Sequence, residues 1–240
     1  MSLELKPLKP FAQGGNRLCY VHPEFPDRCI KVRRPDFTLE DRRRKKGFPK
    51  NLKPLSSFDD NLDEFRVMQQ FQQDYDDGMF NHISRCFGFE DSDMGKGLTS
   101  ELIRDSDGRI SITLKQYLWD FGYPETLQAA VAELCQHWRH YRVPSRDLLV
   151  HNVVVQREWR AEQEIIRRLV VIDGLGSADI IPLAWQPERW RQNKTERKLS
   201  NFHQRIEDML ATRGNETFPG YHGLLFHDGL GEQAGERLND

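Results

Sequence analysis

In the first hundred residues, short apolar runs separated by polar turns predict strands. Two runs lie within residues 18–32 around a proline-containing turn, and the stretch before them ends at Gly14-Gly15-Asn16, a strong turn signal. Two further strands are predicted over His82–Glu90 and Gly97–Ile103. Between these pairs, the segment from Asp63 to Phe71 places apolar residues at intervals of three, which predicts one helix. The first part of the chain should therefore be an antiparallel sheet with one helix.

After a composition shift around Arg104–Ile110, the pattern becomes helical. Helices are predicted over Thr113–Phe121, over Glu125–Tyr141 and over Trp185–Leu210, since apolar residues recur there at helical spacing. We therefore expect a strand-rich lobe over residues 1–103, a helical lobe over 104–213 and a loosely ordered tail over 214–240.

One hairpin is expected inside the helical lobe. Residues 148–156 become Val-rich toward their end, and Leu169–Ile172 are four consecutive apolar residues. The charged residues 157–168 between them are expected to form a long tip.

Composition excludes several classes of protein. The chain has 240 residues, 30% of them charged, and no apolar run approaches the ~18 residues that a membrane-spanning helix needs. The start of the sequence lacks the features of a secretory signal, so we expect a cytoplasmic protein. The formal net charge of -2 argues against general nucleic-acid binding. The four cysteines stand singly, which favours reduced thiols over disulfides or a zinc ribbon.

One local charge cluster stands out. Arg42–Lys46 is an unbroken basic run, which we expect to be a loop. A solvated surface is the commoner role of such a run, and binding of an anionic partner is the alternative.

A lysine, a glutamate and three polar turn residues are the candidates for chemistry. Lys31 lies between apolar strand residues after the glycine turn, and Glu64 on the predicted helix could hold it. Asp147 and Asn152 lie in a loop after a long helix, and Asp173 follows an apolar strand and precedes a glycine. Taken singly, such a lysine is typical of a solvated strand face, and Asp and Asn are common in ordinary turns.

The order of these features along the chain resembles the protein-kinase-like fold, and the whole pattern is similar to the bacterial YrbL family of PhoP regulatory network proteins. The resemblance covers roughly residues 8–209. The segments that carry it are Gly14–Pro23, Arg28–Val32, Arg146–Val153 and Val171–Gly176. It implies an α+β fold with two lobes: an antiparallel-sheet N-lobe with one helix and a reduced, mostly helical C-lobe.

The resemblance also implies cofactors, ATP and Mg²⁺, and a role for each candidate. Gly14 and Gly15 would cover the phosphates, Lys31 would contact them and Glu64 would pair with Lys31. Glu101 would lie in the hinge that receives the adenine. The resemblance makes Asp147 the catalytic base, and it makes Asn152 and Asp173 the Mg²⁺ ligands.

Departures from the protein-kinase pattern shift the expected acceptor away from proteins. Ser145 stands where protein kinases carry histidine, and Leu149 stands where serine/threonine kinases carry a lysine. The turn at Asp173 is Asp-Gly-Leu, no Ala-Pro-Glu follows, and the glycine turn is shorter than G-x-G-x-x-G. We therefore expect a phosphotransferase acting on a hydroxyl of a small molecule or of a cell-envelope component such as a sugar or lipopolysaccharide. The alternatives are a nucleotide-binding pseudokinase with a regulatory role in the PhoP network and, third, a protein kinase.

Overall fold

The computed structural model describes residues 2–161, 163–176 and 187–230. The described chain forms two compact units. The sheet unit takes the residues up to Asp74, then Arg85–Leu102, and the described residues from Leu225 onward. The helical unit takes Tyr75–Ser84 and the described residues between Ile103 and Leu224. The chain passes to the helical unit after Leu102, whereas the predicted boundary followed residue 103.

A single antiparallel sheet organises the sheet unit, with strand order β1-β2-β3-β5-β4. The strands are β1 (Ala12–Gln13), β2 (Arg17–Val21), β3 (Arg28–Arg33), β4 (Cys86–Ser92) and β5 (Gly95–Glu101). On one face, Ile30 and Val32 of β3 are fully buried in a cluster with Leu5 and Tyr20. Lys31 points to the opposite face because successive strand residues alternate. It is only 6% exposed, so β3 is buried on both faces and the solvated-face alternative is excluded.

Two helices belong to the sheet unit, α1 (Leu39–Lys46) and α2 (Asp60–Asp74). The basic run, expected to be a loop, is the last part of α1. Thr38 caps this helix in a reciprocal capping box with Asp41. The basic residues from Arg43 to Lys46 lie in the last turn, where they complement the helix dipole. The α+β class and the antiparallel sheet are confirmed. The one helix expected in this unit is α2, and α1 is a second helix that was not predicted.

The helical unit contains α3 (Leu114–Phe121), α4 (Glu125–Tyr141) and α5 (Glu188–Ala211). Each buries one apolar face; on α5 this face comprises Thr195, Leu199, Phe202, Ile206 and Met209. Trp185, where the last helix was expected to start, lies outside the described residues. None of the helices in the described ranges is both long and apolar enough to span a membrane.

The expected hairpin is present, but its long tip is not. The strands β6 (Val153–Arg160) and β7 (Gln163–Val171) pair through most of the charged segment, including Trp159 with Glu164. A buried ion pair stabilises this extension: Asp105 Oδ2 accepts from Arg157 Nε at 2.9 Å and from Nη2 at 2.7 Å, and the Asp105 carboxylate is fully buried. Charge density suggested a loop because the distant partner could not be identified from sequence.

The residues after α5 pack onto both units instead of forming a loosely ordered tail. In the helical unit, Lys115 Nζ donates to the carbonyl oxygens of Pro219 and His222, at 2.5 and 3.0 Å. In the sheet unit, the amide of Phe226 donates to Phe11 O over 2.7 Å. This packing is described as far as residue 230; the rest of the predicted tail lies outside the described residues.

Candidate functional site

The sheet unit brings Lys31 and Glu64 together. Lys31 Nζ lies 2.6 Å from Glu64 Oε1, and both side chains are largely buried, with 7% and 12% exposure. Register explains this placement, because Lys31 faces the side of the sheet on which α2 lies. The helix is fixed to the same strand residue, since Asn61 Nδ2 donates to Lys31 O over 2.8 Å.

Arg17 is a second cation on Glu64, and it was not predicted from the sequence. Its Nη1 lies 2.5 Å from Glu64 Oε2 and 3.1 Å from Asn61 Oδ1. Each carboxylate oxygen of Glu64 therefore holds one cation. The available signal was the position of Arg17 one residue after the glycine turn, at the start of a strand antiparallel to that of Lys31.

The glycine turn is closed by a hydrogen bond from Gly14 N to Arg17 O at 2.9 Å. Neither Gly14 nor Gly15 has a positive φ. A Cβ on Gly15 would meet nothing within 4 Å, and one on Gly14 would meet only Arg17 O at 3.8 Å. Packing within the described protein thus does not require glycine at these positions.

Glu101 ends β5 and is followed by Leu102, the last residue before the chain enters the helical unit. Its carboxylate accepts from Arg85 N at 3.0 Å, and its own amide donates to Arg85 O at 2.8 Å. These contacts hold the end of the sheet. A role for the neighbouring backbone in binding adenine stays a prediction.

In the helical unit, the loop with Asp147 and Asn152 lies beside the turn with Asp173. Arg146 N donates to Gly174 O over 2.8 Å, and Ile172 N donates to Asn152 O over 2.9 Å. Two apolar residues of the loop, Leu148 and Val150, are buried and anchor it in the protein core. The structure therefore brings together the three residues that the sequence placed on two separate segments.

Gly174 shows how closely the two segments approach. Its φ is +82°, and a Cβ added there would lie 2.8 Å from Asp147 O and 3.2 Å from Asn152 Nδ2. Only glycine fits this position without strain. Asp173 Oδ1 accepts from Gly174 N at 2.7 Å, which orients the carboxylate.

The donor set fits a magnesium ion. Carboxylate and amide oxygens are hard ligands, and protein-bound Mg²⁺ commonly takes one or two carboxylates, with phosphate oxygens and waters completing the shell. Asp173 and Asn152 are donors of this kind on adjoining segments. Among the described residues, no group of three or more His, Cys, Asp or Glu side chains could hold a metal ion. A site at Asp173 and Asn152 would therefore need phosphate oxygens and waters as further ligands.

Asp147 forms an ion pair with Arg205 of α5, at 2.7 Å between Oδ2 and Nη2. This contact could not be predicted from the sequence, because Arg205 is one of many charged residues on that helix. Its position one residue before the buried Ile206 places it at the edge of the apolar face of α5.

The Asp147–Asn152 loop also carries a half-buried histidine, His151. Burial and the neighbouring His222, whose ring stacks on it at 5.5 Å, lower the pKa of His151 to about 4. Burial also lowers the pKa of Lys115, whose ammonium group is held by carbonyl oxygens of the segment after α5. His151 is therefore neutral at pH 7, and it adds no positive charge beside Asp147.

The sequence comparisons with known proteins agree on one family. The family model described as PhoP regulatory network protein YrbL matches residues 3–207. The chain is 28% identical over 206 residues to YrbL of Escherichia coli (strain K12), covering 83% of this chain and 86% of that protein, and the same values hold for YrbL of Shigella flexneri.

Among solved structures, the chain is similar to Rad53 1–466 in complex with AMP-PNP, with a TM-score of 0.44 and 11% identity. That match covers 95% of this chain but only about half, 51%, of the other. The family assignment depends instead on the sequence match, which includes Lys31, Glu64, Asp147, Asn152 and Asp173 within its bounds. The chain therefore belongs to the YrbL family of PhoP regulatory network proteins.

Proposed function

We propose that this protein is an ATP- and Mg²⁺-dependent phosphotransferase of the cytoplasm that phosphorylates a hydroxyl group of a small molecule or of a cell-envelope sugar or lipopolysaccharide component. The observation that carries the proposal is the adjoining placement of Asp147, Asn152 and Asp173, fixed by backbone hydrogen bonds between two distant segments. Phosphoryl transfer depends mainly on positioning and charge neutralisation, for which these residue types are suited.

In the sheet unit, Lys31 is the phosphate contact, and Glu64 holds its ammonium group in place. The open space at Gly14 and Gly15 suits close approach of a phosphate to the backbone. Glu101 marks the segment proposed to receive the adenine.

In the helical unit, Asp147 orients the acceptor hydroxyl and accepts its proton. Asn152 and Asp173 hold the metal ion, which when bound supplies charge neutralisation at the phosphates. The substitutions Ser145 and Leu149 leave this loop without two residues usual in protein kinases, which favours a non-protein acceptor.

The experiment is an assay of ATP consumption with Mg²⁺ and fractionated cell-envelope extract, comparing the unchanged protein with Asp147→Asn. We expect a fraction that stimulates phosphate transfer, and we expect a loss of at least about a hundredfold in Asp147→Asn, as is typical for removal of a general base. Equal turnover by both proteins would overturn the assignment of Asp147.

A nucleotide-binding regulatory protein without catalysis is the second candidate. The ion pair of Asp147 with Arg205 favours it, because the guanidinium occupies a carboxylate oxygen that a catalytic base would use to accept the proton. Stabilisation by ATP and Mg²⁺ with no transfer to any fraction would support this second candidate over the first.

A further inference from the structure

Helix α5 directs two basic side chains at the dipeptide Arg146-Asp147. Lys198 and Arg205 are seven residues apart, a spacing that places them on the same face of a helix. Lys198 Nζ donates to the carbonyl oxygen of Arg146, and Arg205 Nη2 donates to Asp147 Oδ2 over 2.7 Å. The loop that carries the proposed base is therefore lined by cations from another element.

The contact between Arg205 and Asp147 is weakly held. The two side chains are 29% and 41% exposed, and ion pairs with this much solvent access contribute little stability. In addition, Arg205 Nη1 is buried without a hydrogen-bond partner among the described residues. A buried donor without a partner is costly, so this orientation of the guanidinium is easily exchanged for one that satisfies more of its donors.

We propose that Arg205 is a phosphoryl-binding residue that leaves Asp147 when an anionic phosphoryl group occupies the space in front of that carboxylate. A guanidinium offers paired donors that match two phosphoryl oxygens, which bind it more strongly than one exposed carboxylate oxygen. The exchange does two things: it gives the phosphoryl group a cation, and it frees the carboxylate of Asp147 to accept a proton. This inference rests on the proposed function, in which Asp147 is the base.

The sequence of the loop supports this inference. Between Asp147 and Asn152 it has no lysine or arginine, and Leu149 is apolar. A cation for a phosphoryl group in front of Asp147 must therefore come from another element, and Arg205 is already in contact with the carboxylate.

The anion could be the terminal phosphate of the nucleotide or a phosphate on the acceptor, and calorimetry distinguishes these sources. The proteins to compare are the unchanged chain, Arg205→Met, Arg205→Lys and a matched control, Arg197→Met, which removes an exposed arginine from the same helix. The first titrations use ATP and ADP, each with Mg²⁺. The second use inorganic phosphate and glucose 6-phosphate added to the ADP complex.

If Arg205 binds the terminal phosphate, Arg205→Met weakens the binding of ATP about tenfold and leaves the binding of ADP unchanged. If Arg205 binds a phosphate of the acceptor, Arg205→Met keeps the preference for ATP over ADP. Its affinity for inorganic phosphate and glucose 6-phosphate then falls about tenfold. Arg205→Lys keeps part of either effect, and Arg197→Met changes neither. A purely structural ion pair would alter the melting temperature without altering any of these ratios, and that result would overturn the inference.

Failure of the proposed function can be distinguished from failure of the inference about Arg205. If the unchanged protein binds neither nucleotide, the assignment of Lys31 and the metal ligands fails. Phosphate titrated into the protein without nucleotide then tests Arg205 alone: binding that Arg205→Met abolishes supports the inference, and absent or equal binding overturns it.

Discussion

The amide of Arg146 donates to the carbonyl oxygen of Gly174 over 2.8 Å, and this bond joins the Asp147–Asn152 loop to the Asp173 turn. The bond uses only backbone atoms, so it fixes the relative placement of the proposed base and the proposed metal ligands without using their side chains. Any change that separates the two segments should therefore affect metal-dependent binding before it affects the remainder of the fold.

Replacing Gly174 with alanine should separate the Asp147–Asn152 loop from the Asp173 turn. A Cβ there would lie 2.8 Å from a backbone oxygen, and the φ of +82° is itself unfavourable for alanine. We expect a loss of about 2–3 kcal/mol in unfolding free energy, larger than strain from φ alone, which costs about 1 kcal/mol. Urea denaturation measures it.

Gly95→Ala is the matched control. Gly95 is the first residue of β5 and has a φ of +95°, but a Cβ there would meet nothing within 4 Å. It should lose only the conformational part and keep Mg²⁺-dependent nucleotide binding. Equal losses in the two variants would show that the close approach at Gly174 has no energetic consequence.

Glu64→Gln should destabilise the sheet unit strongly. The change leaves Lys31 and Arg17, both largely buried, with an amide in place of a carboxylate. Removing one partner from a buried ion pair costs about 3 kcal/mol. Denaturation at two salt concentrations should show a loss that salt screens only weakly.

The comparison for this prediction is Glu196→Gln, which breaks the exposed pair between Glu196 and Arg139 at 48% and 49% exposure. A loss of less than about 1 kcal/mol is expected there. If the two substitutions cost the same, the buried network around Glu64 is not the stabilising feature described above.

Stability should depend on pH through His137. Burial, together with the nearby His82, lowers the pKa of His137 to about 4, well below the usual 6.5. The unfolded chain therefore binds more protons between these values, so stability falls as pH decreases from about 6.5 to about 4 and is unaffected by this group above 6.5.

His137→Gln should flatten this dependence, since glutamine does not titrate and can still donate to Met79 O, the partner of His137 Nε2 at 3.0 Å. The measurement is the unfolding free energy at half-unit pH steps. One such histidine contributes at most about 1.4 kcal/mol per pH unit. An unchanged slope in the variant would contradict the assignment.

The sequence predicted the parts of this molecule that depend on local pattern. The helix Glu125–Tyr141 has the expected bounds, and the pair of Lys31 with Glu64 follows from strand register and helix placement. Local pattern also indicated that Asp173 follows a buried strand.

What could not be predicted depends on distant partners. The charged tip of the hairpin forms strands because Arg157 is neutralised by the buried Asp105, 52 residues away. Likewise, Arg205 contacts Asp147 across 58 residues of sequence, and nothing in a charged helical face distinguishes it from its neighbours. The helix that contains the basic run was also missed, but its capping box between Thr38 and Asp41 is local and could have been recognised in the sequence.

The most direct test of the central claim is calorimetric titration of ATP, with and without Mg²⁺, into the unchanged protein and into Asp173→Asn. We predict that Mg²⁺ strengthens ATP binding at least about tenfold in the unchanged protein. In Asp173→Asn, which should remain folded, this dependence on Mg²⁺ should be lost. Binding that is absent, or that is equally strong without Mg²⁺ in both proteins, would contradict the claim that Asp173 and Asn152 form a metal site for phosphotransfer.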